Sequence, residues 1–438
     1  MQGLAAALGP TIGGAVTQFW GWRGIFLINV PLVAVALCGC IAWLSWRHPS
    51  HGQVKLDLGG SALVMTTLLA LTLVLVKGND WGWTSRVVLS LGVTSALTLI
   101  AFVWMEAHVS APMVPLALFK DRQFNGAALA TVLSGVFMVG LLVLMPSFFT
   151  KVQSKTELMA AIMITPASMM IFIFSPISGF LLAKLGARRV IFSGSLAIAT
   201  GYGVLSLMSP SQYWQFALAA LLGGAGYRTQ LVGAGYGTII GPITVLAAGD
   251  FTGELLTASQ SVIGVFRQIG TSLAVAIFVS ALAANLTTAK TQIRTYATTT
   301  VTTLSIPKQA KRDTLRVVDH QLATEQTAQT VHEPITAAKA RRLVAANYMQ
   351  VLKARSLQSA PVRIKAQIHQ QVAQKVHSQV KHTNQRIRTA ASAIKAKTKI
   401  ELTAAFMRPY QVAWPFTLLL VMTTWCFAGR ERKSGKPS

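Results

Sequence analysis

Gly9-Pro10-Thr11-Ile12-Gly13-Gly14, followed by Trp22-Arg23-Gly24-Ile25-Phe26-Leu27-Ile28-Asn29-Val30-Pro31, lies in an apolar run at the start of the chain. Glycines remove side chains, so two helices can approach until their backbones touch, and a proline frees a carbonyl one turn earlier. In lipid both are tolerated only where neighbouring helices satisfy the backbone again. The stretch therefore reads as the packing or hinge face of a membrane helix, entered part-way along its length. It does not read as the opening of a soluble domain.

The rest of the chain agrees. Of 438 residues, 52% are hydrophobic and only 12% are charged, a composition that excludes an ordinary soluble domain. Crossing a bilayer takes about 20 apolar residues, and ten such runs occur, near 4–20, 24–46, 58–78, 86–106, 124–148, 158–184, 188–208, 213–245, 259–284 and 411–429. Basic residues are retained on the cytoplasmic side of short loops. Placing 47–57, 107–123, 184–189, 249–258 and 430–438 inside collects eleven Lys and Arg, more than twice the number opposite, so both termini are expected in the cytoplasm. No signal-peptide pattern precedes the first run, and insertion is expected to use the helices themselves. Cys38, Cys40 and Cys426 fall in apolar runs without His or carboxylate company, which makes them packing residues.

A second cluster, Gly179, Leu181, Lys184, Gly186, Arg188 and Arg189, sits between two runs. Basic side chains there can cap helix carboxyl ends or anchor the loop inside the cell. The GPxxGG box with WRxxFxxNxP resembles the fifth helix, and the entry to the sixth, of 14-helix drug:proton antiporters of the major facilitator superfamily. The second cluster resembles that family's G-x-L-a-D-R-x-G-R-R loop, with Ala183 at the position of the motif's Asp.

The resemblance implies an all-α polytopic membrane protein of the major facilitator fold, lacking the first four helices. Residues 1–46 would be the last two helices of the amino-terminal bundle and 47–123 a two-helix insert. Residues 124–284 would form the carboxy-terminal bundle, 285–410 a basic helical extracellular loop, and 411–438 the last helix with a cytoplasmic tail. It implies proton-coupled efflux of lipophilic or cationic drugs across a bacterial plasma membrane, driven by the proton gradient without a cofactor, and no enzymatic activity. On this reading Gly9, Pro10, Gly13, Gly14, Arg23, Gly179, Lys184, Gly186, Arg188 and Arg189 are motif and gating residues. Met138, Met145, Phe148, Phe149 and Met163, joined by Met169, Met170 and Phe172, would face the central path. Met and aromatic side chains suit loose recognition of varied lipophilic ligands, although at helical spacing such residues are usually packing or lipid contacts. Gln260, Arg267 and Gln268 are polar positions on the ninth run, and Arg267-Gln268-x-Gly270 resembles the family's R-Q-x-G segment.

Other features have no place in the resemblance. Gly224-Ala225-Gly226-Tyr227 recurs nine residues later as Gly233-Ala234-Gly235-Tyr236, which reads as a direct duplication that leaves Arg228 inside a span and predicts a strained or broken helix. All thirteen Asp and Glu fall in loops, tails or helix ends, Asp57 and Glu106 among them, so no mid-membrane carboxylate is available for proton coupling. Residues 286–410 carry 21 Lys and Arg against five acids and are cut by Pro307, Pro334 and Pro361. Ile364, Ile368, Val372, Val376 and Val380 recur every four residues there, predicting amphipathic helices packed as a hairpin. Its charge suits anionic envelope polymers, while its placement argues against nucleic acid. His320, His332, His369, His377 and His382 fit no metal-ligand template. A non-transporting membrane remnant and a carrier of another small solute on the same fold remain alternatives.

Overall fold

The computed structural model describes residues 2–43, 57–109, 112, 114–206, 227–304, 306, 308–324, 335 and 337–427. Its helices are α1 Gln2–Trp20, α2 Trp22–Leu27, α3 Asn29–Trp43, α4 Leu58–Trp81, α5 Arg86–His108, α6 Arg122–Lys151, α7 Glu157–Leu185 and α8 Ala187–Ser206. They are followed by α9 Tyr227–Ala248, α10 Gly253–Thr303, α11 Lys308–Thr324, α12 Ala337–Ala354 and α13 Val362–Met422. Among the described residues, seven helical stretches are long and apolar enough to cross a membrane, and the remaining expected spans fall on α1, α8 and the end of α13. The chain is an all-α, multi-pass membrane protein.

Helix starts follow local chemistry. Asp57 Oδ1 accepts the Gly60 N–H at 2.8 Å, Ser85 Oγ the Val88 N–H at 3.3 Å and Thr156 Oγ1 the Met159 N–H at 3.3 Å, each satisfying an orphan donor of a first turn. The expected run at 24–46 is divided by a turn at Ile28, which separates α2 from α3, while Gly21 at φ +72° separates α1 from α2 just before it. Cys38 and Cys40 are exposed on α3 and not packed as expected, while Cys426 is half-buried.

The chain forms two compact units, one from residues 1–150, 155–284 and 406–438, the other from 151–154 and 285–405. Within the first, α4 pairs with α5 through a Thr67–Thr98 hydroxyl bond of 2.8 Å and a bond from Ser95 Oγ to the Thr67 carbonyl of 3.2 Å. Helix α9 packs on both α7 and α8. Towards α7 it presents Gly233, Gly237 and Gly241 at four-residue spacing. Gly233 abuts the Ala167 backbone, and a Cβ at Gly237 would lie 2.9 Å from the Ile171 backbone. Towards α8, a Cβ at Gly235 would lie 2.5 Å from the Gly194 carbonyl oxygen and one at Gly194 would lie 2.8 Å from that of Gly235. These are backbone-to-backbone crossings of the kind small residues permit in lipid. The second copy's Gly233 and Gly235 are thus seam residues, and α9 runs unbroken from Tyr227 through Arg228 to Ala248, so the expected strained or broken helix is not seen over this described part of the span. Residues 207–226, which hold the first copy's Gly224, Ala225 and Gly226, lie outside the described residues.

The second unit is built differently. Ala297, Val301, Val318 and Ile394 form one small apolar core, and Ile306, Ala310 and Ile387 another. Helices start just after Pro307 and Pro361 and three residues after Pro334, as a residue that cannot continue a helix but suits its first turn would dictate. The expected stripe is covered only in part: Val376 is buried, whereas Ile364 is 42% exposed. Asn384 turns inward and donates to the Ile335 carbonyl at 3.1 Å, and Tyr348 stacks edge-on to His369.

Candidate functional site

The opening glycine box seats α1 on α7. A Cβ at Gly14 would lie 3.2 Å from the Glu157 carbonyl and closer still to the Ala161 Cβ, so only glycine allows this approach. Thr11 and Thr165 share a hydroxyl hydrogen bond of 2.5 Å, and Thr165 also bonds the Ala161 carbonyl at 2.9 Å. Gln18 Oε1 accepts the Leu158 N–H at 3.1 Å, so a side chain of α1 caps the first turn of α7. Gly9 and Gly13 have no atom within 4 Å of a Cβ position and stay off the seam. Each threonine adjoins a proline, Pro10 before Thr11 and Pro166 after Thr165. Both helices therefore lack a ladder hydrogen bond at the level where they touch. Arg23 lies 4.8 Å over the Trp22 ring, outside the seam.

The loop cluster is a single-residue connection. Gly186 at φ +78° ends α7, its N–H bonding the Leu182 carbonyl at 3.1 Å, and α8 starts at Ala187. A side chain at Gly186 would be strained at this φ. Lys184 Nζ sits 4.4 Å over the Phe180 ring, while Arg188 and Arg189 are exposed and make no ion pair among the described residues. Gly179 has open space around it.

Half of the eight residues expected on the central path are packed away. Met138, Met145 and Phe148 are at most 2% exposed and Phe149 is 4% exposed. Phe148 stacks on Phe149 and on Phe406, with ring centroids 5.7 Å apart in both pairs. Around them the Tyr202 hydroxyl donates to the Phe137 carbonyl at 2.5 Å and the Tyr410 hydroxyl to that of Gly140 at 3.4 Å. Gly140 is the gap that admits Phe278. In this arrangement the four side chains are buried in an aromatic cluster. Met163 is half-buried, and Met169 and Phe172 are exposed.

Helix α10 keeps its polar positions accessible. Gln260 is half-buried and donates to the Thr244 carbonyl at 3.3 Å, Arg267 is half-buried, and Gln268 is exposed. Gly270 explains the last letter of R-Q-x-G: a Cβ there would lie 2.7 Å from the Val132 carbonyl, and Gly135 of α6 faces it in return. Tyr236 of α9 lies within electrostatic reach of Arg267. A charged side chain within a membrane helix costs about 2.5–3.5 kcal/mol on insertion scales, so Arg267 is an expensive residue at this position.

Sequence reading missed the Thr11–Thr165 bond, the Gln18 cap and Tyr236. The signal for the first is the threonine beside a proline in two separate helices. Sequence reading also left unconnected two acids, Asp57 and Glu106, that the structure brings to one place. A Cβ at Gly60 would touch Asp57 Oδ2 and lie 3.3 Å from Glu106 Oε1, and Glu106 is 4% exposed.

With this geometry in place, the family model described as Major Facilitator Superfamily matches residues 1–275. The chain belongs to the Major Facilitator Superfamily. Similar members include the multidrug resistance protein Stp of Mycobacterium tuberculosis, 31% identical over 64% of this chain and 50% of the relative. The multidrug transporter protein MdtP of Bacillus subtilis is 26% identical over 62% and 48%, and the fatty acid resistance protein FarB of Neisseria gonorrhoeae 27% over 60% and 51%. The chain spans about half the length of these curated relatives. Members of this superfamily are transporters of small molecules rather than enzymes, and this chain is a multi-pass protein of the bacterial plasma membrane, with lipid around its apolar helices.

Proposed function

We propose that this chain takes part in efflux of lipophilic drugs across the plasma membrane, exchanging them for protons. The observation that carries the reading is the seat of α1 on α7. Gly14 brings the two backbones together, the Thr11–Thr165 bond aligns them, and paired prolines let both helices bend at the contact. A seam held by small residues, one hydroxyl pair and the Gln18 cap has few polar groups to re-satisfy in lipid when it moves between two arrangements. Gly9, Pro10, Gly13, Gly14 and Arg23 act at this seam or its flanks, and Gly179, Lys184, Gly186, Arg188 and Arg189 act at the α7–α8 turn. Met163, Gln260, Arg267 and Gln268 are the accessible candidates for the substrate path. The names of the relatives, which concern multidrug and fatty acid resistance, favour lipophilic cargo. The domain division at 46, 123, 284 and 410 and the external placement of 285–410, as a holder of anionic envelope polymers, belong to the same proposal.

Ala183 favours a second reading, a membrane protein without turnover, because it leaves Arg188 and Arg189 without the motif's acid partner. Efflux of ethidium or of a lipophilic anion, each followed in cells expressing the 438-residue chain with membrane insertion checked in the same cells, decides between them. Efflux that stops when the proton gradient collapses is the expected result. Well-inserted protein without efflux overturns the transport reading in favour of the second.

A further inference from the structure

The charge of Arg267 has a use that the efflux reading leaves open. Its backbone is held on two sides. One turn on, Gly270 meets the Val132 backbone of α6, and two turns back, Gln260 bonds the Thr244 carbonyl of α9. The guanidinium is half-buried and has no carboxylate partner among the described residues. The acids in the described apolar helices, Asp80, Glu106, Glu157 and Glu254, stand near helix ends. The membrane unit thus offers a fixed mid-helix cation and no fixed mid-helix anion among its described residues.

Such a site attracts anions. A guanidinium matches the two oxygens of a carboxylate, sulfonate or phosphate with parallel N–H donors, and a partly dry setting strengthens the pairing. Tyr236 can add a hydroxyl to the same headgroup. A lipophilic cation would meet an uncompensated like charge. We propose that Arg267 recognises the headgroup of an amphiphilic anion, so that the cargo class is lipophilic acids rather than lipophilic cations. This rests on the efflux reading, and narrows it.

The test uses the full chain in lipid nanodiscs and three ten-carbon probes that differ only in headgroup: decanesulfonate, decyltrimethylammonium and decanol. A sulfonate stays ionised throughout the working range, so pH does not confuse the comparison. Saturable decanesulfonate binding above empty nanodiscs is expected, with decyltrimethylammonium at least about tenfold weaker. Arg267→Gln should weaken sulfonate binding by about tenfold or more, Arg267→Lys by less, and Tyr236→Phe by about twofold. Binding of decanol should be unchanged in all three variants, which also verifies their folding. Unchanged sulfonate affinity in Arg267→Gln overturns the proposal, as does equal affinity for the trimethylammonium probe or no saturable sulfonate binding. Should Arg267→Gln not fold, Arg267→Lys and the headgroup ranking in the unmodified chain decide in the same way. Sulfonate binding without ethidium or sulfonate efflux would sink transport alone, and ethidium efflux without sulfonate binding would sink the anion site alone.

Discussion

The α7–α8–α9 seams and the 285–405 unit hold helices together by opposite means. In the first, side chains are removed until backbones meet, as at Gly194, Gly233, Gly235 and Gly237. In the second, side chains are added until they interlock, as at Val301, Val318, Ile387 and Ile394. The difference follows from the solvent. Lipid is as apolar as leucine, so burying leucine gains nothing there and close packing decides. Water makes each buried aliphatic group count.

The comparison breaks most visibly if a side chain is tolerated at a seam. Gly233→Leu would drive its side chain into the Ala167 backbone and should cost about 3 kcal/mol or more, since overpacking alone costs 1–3 and here the obstacle cannot turn aside. Folded yield in membranes should collapse, and normal yield would mean the seam is not tight. Ile387→Ala should cost about 2–4 kcal/mol in the 285–405 unit. Hydrogen exchange should rise there and leave α7 to α9 unchanged; an equal rise in both would mean the units do not unfold separately. A double-mutant cycle of Thr11→Val and Thr165→Val should return a coupling near about 0.6 kcal/mol, the average for hydroxyl pairs in lipid. Zero coupling would remove that bond from the α1–α7 contact. Smallest of all, Asp319→Asn breaks the exposed pair with Arg294 and should shift stability by under about 1 kcal/mol, less at high salt.

Deleting Arg228 to Tyr236 sharpens the same point. The excision places Gly224 and Gly226 where Gly233 and Gly235 stood, so both seams survive and a membrane arginine is lost. Membrane yield should rise, and a fall would mean that the duplicated stretch has acquired a role of its own.

Spacing made much of this legible. The glycine box announced a packing face because small residues beside a proline have few other uses in an apolar run, and Gly14 bears that out. The same logic failed at Gly233, Gly237 and Gly241, where the nine-residue repeat drew attention from the four-residue interval that α9 uses. Met138, Met145, Phe148 and Phe149 could not be assigned from sequence, since a membrane helix is apolar on every face and periodicity no longer separates core from path. Glu106 looked like a helix-end acid, and only the pairing of α4 with α5 carries it beside Asp57.

Gly186 leaves no slack between α7 and α8. A longer loop would let one helix tilt while the other stayed still, but a single residue at φ +78° ties their ends like the pin of a hinge. The carboxyl end of α7 and the amino end of α8 therefore move together, and α9 lies against both helices.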